Sequence, residues 1–81
     1  MNMKDTVELM LSDNYIDRFK AEYYQTKTRY DRLHTMIIKY EAGTLDFEPK
    51  TPLNILKDQA RYMGHYLYTL EIRAQLENIE L

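Results

Sequence analysis

The sequence predicts an all-α protein: a short N-terminal helix followed by a long antiparallel two-helix hairpin, assembled as a homo-oligomeric helical bundle. Three observations carry this. Glycine and proline occur only twice each in 81 residues, and three of the four lie between Gly43 and Pro52, so helix breakers are concentrated at one place. Before that stretch, Ile16, Phe19, Tyr23, Thr26, Tyr30, Leu33, Ile37 and Tyr40 follow one another in alternating steps of three and four, the 3.5-residue period of a helix that packs along a partner helix. After it, Leu56, Ala60, Met63, Leu67, Leu70 and Ala74 form a second seam.

The elements follow in order. Residues from about 4 to 11 read as a short amphipathic helix with Val7, Met10 and Leu11 on its apolar side. Ser12 or Asp13 offers an N-cap oxygen to the next helix, which is expected from about 13 to 42 and spans ~45 Å at the helical rise. Gly43 supplies the left-handed residue that ends it. A loop over 43–51 turns the chain, with Leu45 and Phe47 expected to plug the open end of the hairpin. The last helix is expected from about 52 to 80, with Thr51 as N-cap and Pro52 at the first helical position, where its missing N–H is not needed. A loop of this length joins antiparallel neighbours, and the whole chain, 1–81, makes one helical domain.

The last helix carries a second apolar strip beside its seam: Ile55, Tyr62, Tyr66, Ile72, Leu76 and Ile79. One partner helix cannot cover both. The surplus predicts self-association, the remaining source of stability for a chain this short with no cysteine.

The net charge of -2 and a pI of about 5.6 argue against DNA or RNA as a partner, because such binding needs a broad positive field. No apolar run approaches a membrane span, and the N-terminus lacks the apolar stretch of a signal peptide. A soluble cytosolic protein is expected. His34 and His65 fall on different helices with no carboxylate at metal-ligand spacing, and neither a phosphate loop nor a nucleophile elbow is present. The lone serine is explained by capping. The expectation is a protein that is not an enzyme and holds neither cofactor nor metal.

The eight tyrosines, beside two phenylalanines and no tryptophan, say more. Tyr23 and Tyr30 belong to the seam and read as core residues with a polar tip. Tyr15 lies off it, at the start of the long helix and one turn before Arg18. A tyrosine ring can stack on a base, and a guanidinium can grip a phosphate through two bonds. Lys27, Arg29 and Arg32 follow on the same helix; their plain alternative is a solvated basic patch paired with Asp31.

The long helix thus reads Tyr15-Ile16, Arg18, Glu22-Tyr23, then Arg29-Tyr30 and Leu33; the last reads Leu56, Gln59, Met63, Tyr66, Leu70 and Arg73, with Gly43 and Phe47 between them. This pattern, from about Asp13 to the C-terminus, resembles the small helical phage proteins related to a crAssphage protein, which include the anti-CBASS cyclic-oligonucleotide sponges. The resemblance implies a phage protein in the cytoplasm of the infected bacterium. It would bind cyclic di- or trinucleotide alarm signals without cutting them, as a homo-oligomer from dimer up to hexamer with pockets between subunits. The resemblance also implies a site: Tyr15 for the ligand base, either Lys27 or Arg29 as the basic partner further along, and Arg73 in a second, trinucleotide-type pocket. Two other readings stand beside it, a helical protein-binding inhibitor or adaptor of a host defence protein and a structural phage oligomer.

Overall fold

The computed structural model describes residues 2–81 and contains three helices and no strand among them: α1 (Met3–Met10), α2 (Tyr15–Ala42) and α3 (Leu53–Leu76). The molecule is elongated, 43 × 25 × 16 Å, because the 28 residues of α2 set its length. No helix is long and apolar enough to cross a membrane among the described residues.

The antiparallel hairpin of α2 and α3 is as expected. Tyr15 meets Glu77, Tyr23 meets Glu71 and Glu41 pairs with Lys57. The two seams face each other: Phe19, Tyr23 and Ile37 of α2 and Leu56, Leu67, Leu70 and Ala74 of α3 are buried. Between them Tyr30 lies over Gly64, where an added Cβ would stand 3.3 Å from the Tyr30 ring, so a side chain there would push that ring aside. At the ends the seam opens, leaving Ile16 42% and Tyr40 36% exposed.

The helix ends depart from expectation for local reasons. Neither Ser12 nor Asp13 caps α2. Asn14 does, its side-chain oxygen accepting the Ile16 N–H at 2.8 Å, while the Ser12 hydroxyl bonds Asp17 and accepts the Asn14 N–H in the turn before. Pro52 sits one place earlier than expected, at the N-cap, and Thr51 caps nothing. The Pro52 carbonyl itself accepts the N–H groups of Ile55 and Leu56. Gly43, at φ 77°, ends α2 as foreseen, with the Thr44 N–H returning to the Lys39 carbonyl.

Helix α3 stops at Leu76 rather than near residue 80. Asn78 takes a left-handed conformation, φ 57°, and the Ile79 N–H returns to the Ala74 carbonyl at 2.8 Å. Asparagine tolerates that region better than other L-residues. The turn folds Ile79 into the core, against Phe19, Tyr23, Leu67, Leu70 and Ala74, so it leaves the outer strip to which its sequence position assigned it.

Two further expectations are corrected. In α1 the side with Val7, Met10 and Leu11 is the exposed one; the buried residue is Thr6. Its hydroxyl donates to the Met3 carbonyl at 2.6 Å and accepts from the Gln25 amide at 3.0 Å, so a polar pair, flanked by half-buried Met3 and Leu9, seats α1 on α2. In the loop, Leu45 is half-buried but Phe47 is 55% exposed and plugs nothing, because the loop turns back beside α2 near Met36 and Lys39. Helix α1 packs on α2 and not on α3. The outer face of α3, with Ile55, Tyr62, Ile72 and Leu76 all more than 40% exposed, therefore has no cover in the single chain, while Tyr66 at its margin donates its hydroxyl to Glu22 of α2.

Candidate ligand-binding site

Antiparallel packing sets the first turn of α2 beside the last turn of α3, and this brings Tyr15 and Arg73 together. An Arg73 terminal nitrogen donates to the Tyr15 oxygen at 2.6 Å, and the Tyr15 hydroxyl donates to Glu77 Oε1 at 2.8 Å. The ring closes through Arg73 Nε, 3.3 Å from Glu77 Oε2. Beneath it lies buried Phe19: the Arg73 guanidinium carbon is 5.0 Å from the Phe19 centroid, and the Tyr15 and Phe19 rings are tilted at 6.3 Å. The positive end of α2 and a cation in the last turn of α3 meet here, each where the helix dipole favours it or an incoming anion.

The Glu77 carboxylate, which accepts a hydrogen bond from the Tyr15 hydroxyl, raises the Tyr15 pKa above its usual value, and Arg73 acts in the opposite direction. Tyr15 therefore stays a neutral phenol with its ring half-exposed, and Arg73 keeps part of its guanidinium in solvent. A half-exposed aromatic face beside a guanidinium seated on a second ring can stack a base and bind a phosphate.

The other residues singled out in the sequence do not join this cluster within one chain. Arg18 donates to the Ser12 carbonyl at 2.9 Å and lines a separate groove of about 350 Å³ with Met10, Glu22, Gln25 and Thr26. Lys27 is bound to Asp31 at 2.8 Å, and that bond raises its pKa. Arg29 is exposed, with no ion pair or side-chain hydrogen bond among the described residues. Lys27 and Arg29 lie about 18–21 Å along α2 from Tyr15 at the helical rise, so they reach a Tyr15 site only from another copy of the chain.

A larger concavity, about 590 Å³, opens beside the cluster between Tyr23, Glu71, Gln75, Asn78 and Glu80. Carboxylates line it and no cation does, so it repels a phosphate. Within it the Tyr23 hydroxyl donates to Glu71 at 2.6 Å, and burial first, then that bond, push it up to about 12 from the ordinary 10.0. Folded chain thus keeps a proton that unfolded chain loses above about pH 10, so this contribution to stability is complete below pH 10 and declines as pH rises to about 12. Urea midpoints should fall over that window in the wild type, and less steeply in Tyr23→Phe; equal slopes would refute this assignment.

Phe19 and Glu77 were not legible as site residues. Phe19 reads only as core, and Glu77 as one more solvated carboxylate. The one available signal was the spacing of four between Arg73 and Glu77, joined to the antiparallel register that returns the end of α3 to Tyr15.

The fold and the cluster together describe a small helical-hairpin protein with an aromatic and guanidinium contact at the end of the hairpin away from its loop. The chain belongs to the Sequestin family, whose model matches residues 13–76. No curated protein and no solved structure matches it.

Proposed function

We propose that this chain is a sponge: it binds a cyclic di- or trinucleotide immune signal and sequesters it without cleaving it, as an anti-CBASS protein of a phage acting in the cytoplasm of the infected bacterium. Membership of a family whose name denotes sequestration supports binding. The observation that carries the nucleotide reading is the contact of Tyr15 with Arg73, which sets a stacking face beside a phosphate-binding group. Sequestration asks for no nucleophile or general base, only for tight contacts.

The functional unit is a homo-oligomer. Four large side chains on the outer face of α3, Ile55, Tyr62, Ile72 and Leu76, lack cover, and fully burying one such side chain contributes ~1.5–3 kcal/mol. A two-fold interface presents each residue twice, so a ligand with two bases and two phosphates meets two tyrosines and two arginines, and Lys27 or Arg29 of a second copy can approach Tyr15. Light scattering at micromolar concentration should give a multiple of 9.8 kDa; a monomer mass would remove the oligomer.

Calorimetry against cyclic di- and trinucleotides tests the function, with pyrophosphate-linked adenine nucleotides as a comparison. Tight binding, with the ligand recovered intact after heating, supports the sponge. Binding of the comparison ligand alone keeps sequestration and changes the ligand class. No binding at all refutes the nucleotide reading in favour of a protein partner for the exposed face of α3.

A further inference from the structure

We propose that Glu77 is a built-in competitor for the ligand phosphate: its carboxylate occupies Arg73 and the Tyr15 hydroxyl in the free protein and is displaced when ligand binds. This rests on the reading of Arg73 as the phosphate-binding residue. The geometry is that of an anion already in place. Glu77 accepts from Arg73 Nε through one oxygen and from the Tyr15 hydroxyl through the other, while a terminal nitrogen of Arg73 is taken by Tyr15. That edge of the guanidinium, Nε with the adjacent terminal nitrogen, is one of those that grips a phosphate or carboxylate with two bonds. The arrangement also keeps the Tyr15 ring standing next to Arg73 while the site is empty.

Glu77 is placed to leave. It is the last residue before the left-handed Asn78, beyond the regular turns of α3, and its side chain is 35% exposed. Its bond to Arg73 is long, and exposed ion pairs of this kind are weak. The Arg73 guanidinium, by contrast, is seated on the buried Phe19 ring and stays where it is. An incoming phosphate therefore exchanges one carboxylate for another anion on a fixed cation, and only a ligand that gains further contacts, such as a stacked base on Tyr15, wins decisively. Glu77 thus discriminates against bare phosphate and other small anions.

The test uses the full chain, labelled with nitrogen-15 and titrated with pyrophosphate while the Arg73 Nε–H resonance is followed. Glu77→Gln keeps the shape and removes the competing charge, and it should bind pyrophosphate at least about tenfold tighter than the wild type, the scale of one charge-assisted contact. Glu80→Gln removes the same charge three residues away, without contact to Arg73, and should stay within about twofold, because a charge acting through solvent counts for far less than one in a direct charge-assisted bond. Arg73→Gln combined with Glu77→Gln should lose the binding. The proposal is overturned if Glu77→Gln and wild type bind equally, as they would if the phosphate took the opposite edge of the guanidinium, if Glu80→Gln gains as much, or if neither binds pyrophosphate. A parallel titration with a cyclic dinucleotide separates the two claims: pyrophosphate behaving as stated with no cyclic nucleotide bound sinks the sponge and leaves the role of Glu77 standing.

Discussion

Leu70→Ala should lower the unfolding free energy by about 2–5 kcal/mol, the range for removing a fully buried leucine side chain. Leu70 is 0% exposed and belongs to the cluster of Phe19, Tyr23, Leu67, Ala74 and Ile79 that joins α2 to α3 and to the turn after α3. The cavity would open where three segments meet, and long helices offer little freedom to close it. A chain this size has a total stability of only several kcal/mol, at about 0.05–0.15 kcal/mol per residue, so the variant should melt far earlier or be partly unfolded at room temperature. Leu11→Ala, at a position 80% exposed, provides the reference and should change stability by no more than ~0.5 kcal/mol. Urea denaturation followed by circular dichroism decides this. Equal midpoints for the two variants would mean that α3 packs in a different register from the one described.

That register was legible because it needs only periodicity. A seam that advances by three and four can face only one way along its length, so spacing alone places Phe19, Tyr23, Leu67 and Leu70 in the core. Where spacing says nothing, the sequence is silent. Asn78 reads as an ordinary helix-end residue until its backbone turns left-handed, and that single torsion carries Ile79 from the outer strip into the core. Thr6 escaped because its burial depends on a partner hydrogen bond from Gln25, which no apolar pattern reports. The site was legible only in pieces. Tyr15 stands out for being off the seam, and Arg73 for its place in the last motif, but the family resemblance puts them in different pockets. Their contact follows from where α3 ends relative to where α2 begins, and that depends on helix ends, the least determined feature of a sequence. Lys27 and Arg29 sit on the same helix as Tyr15, yet a helix separates residues along its axis as reliably as it groups them on a face.

Tyr15→Ala should weaken the binding of the nucleotide signal by about a hundredfold or more while leaving the fold nearly intact. The ring is half-exposed and lies outside the core cluster, so its removal opens no internal cavity. What is lost is a stacking face, worth ~1–3 kcal/mol per base, and on a two-fold site the loss occurs twice. Tyr15→Phe divides the effect. It keeps the ring over Phe19 and loses only the hydroxyl that joins Arg73 to Glu77, so it should retain most of the affinity. Arg73→Ala should weaken binding by a comparable factor to Tyr15→Ala, and it should also flatten the salt dependence, because a phosphate contact has gone. The salt slope is the readout that a packing role for Arg73 on Phe19 would not change. Calorimetry at two ionic strengths, with thermal melting of each variant as the check on folding, covers all three substitutions. If wild type binds and Tyr15→Ala binds equally well, the ligand sits elsewhere, and the groove beside Arg18 or the exposed Arg29 becomes the place to look. If Arg73→Ala binds weakly with an unchanged salt slope, Arg73 positions Tyr15 and does not touch the phosphate.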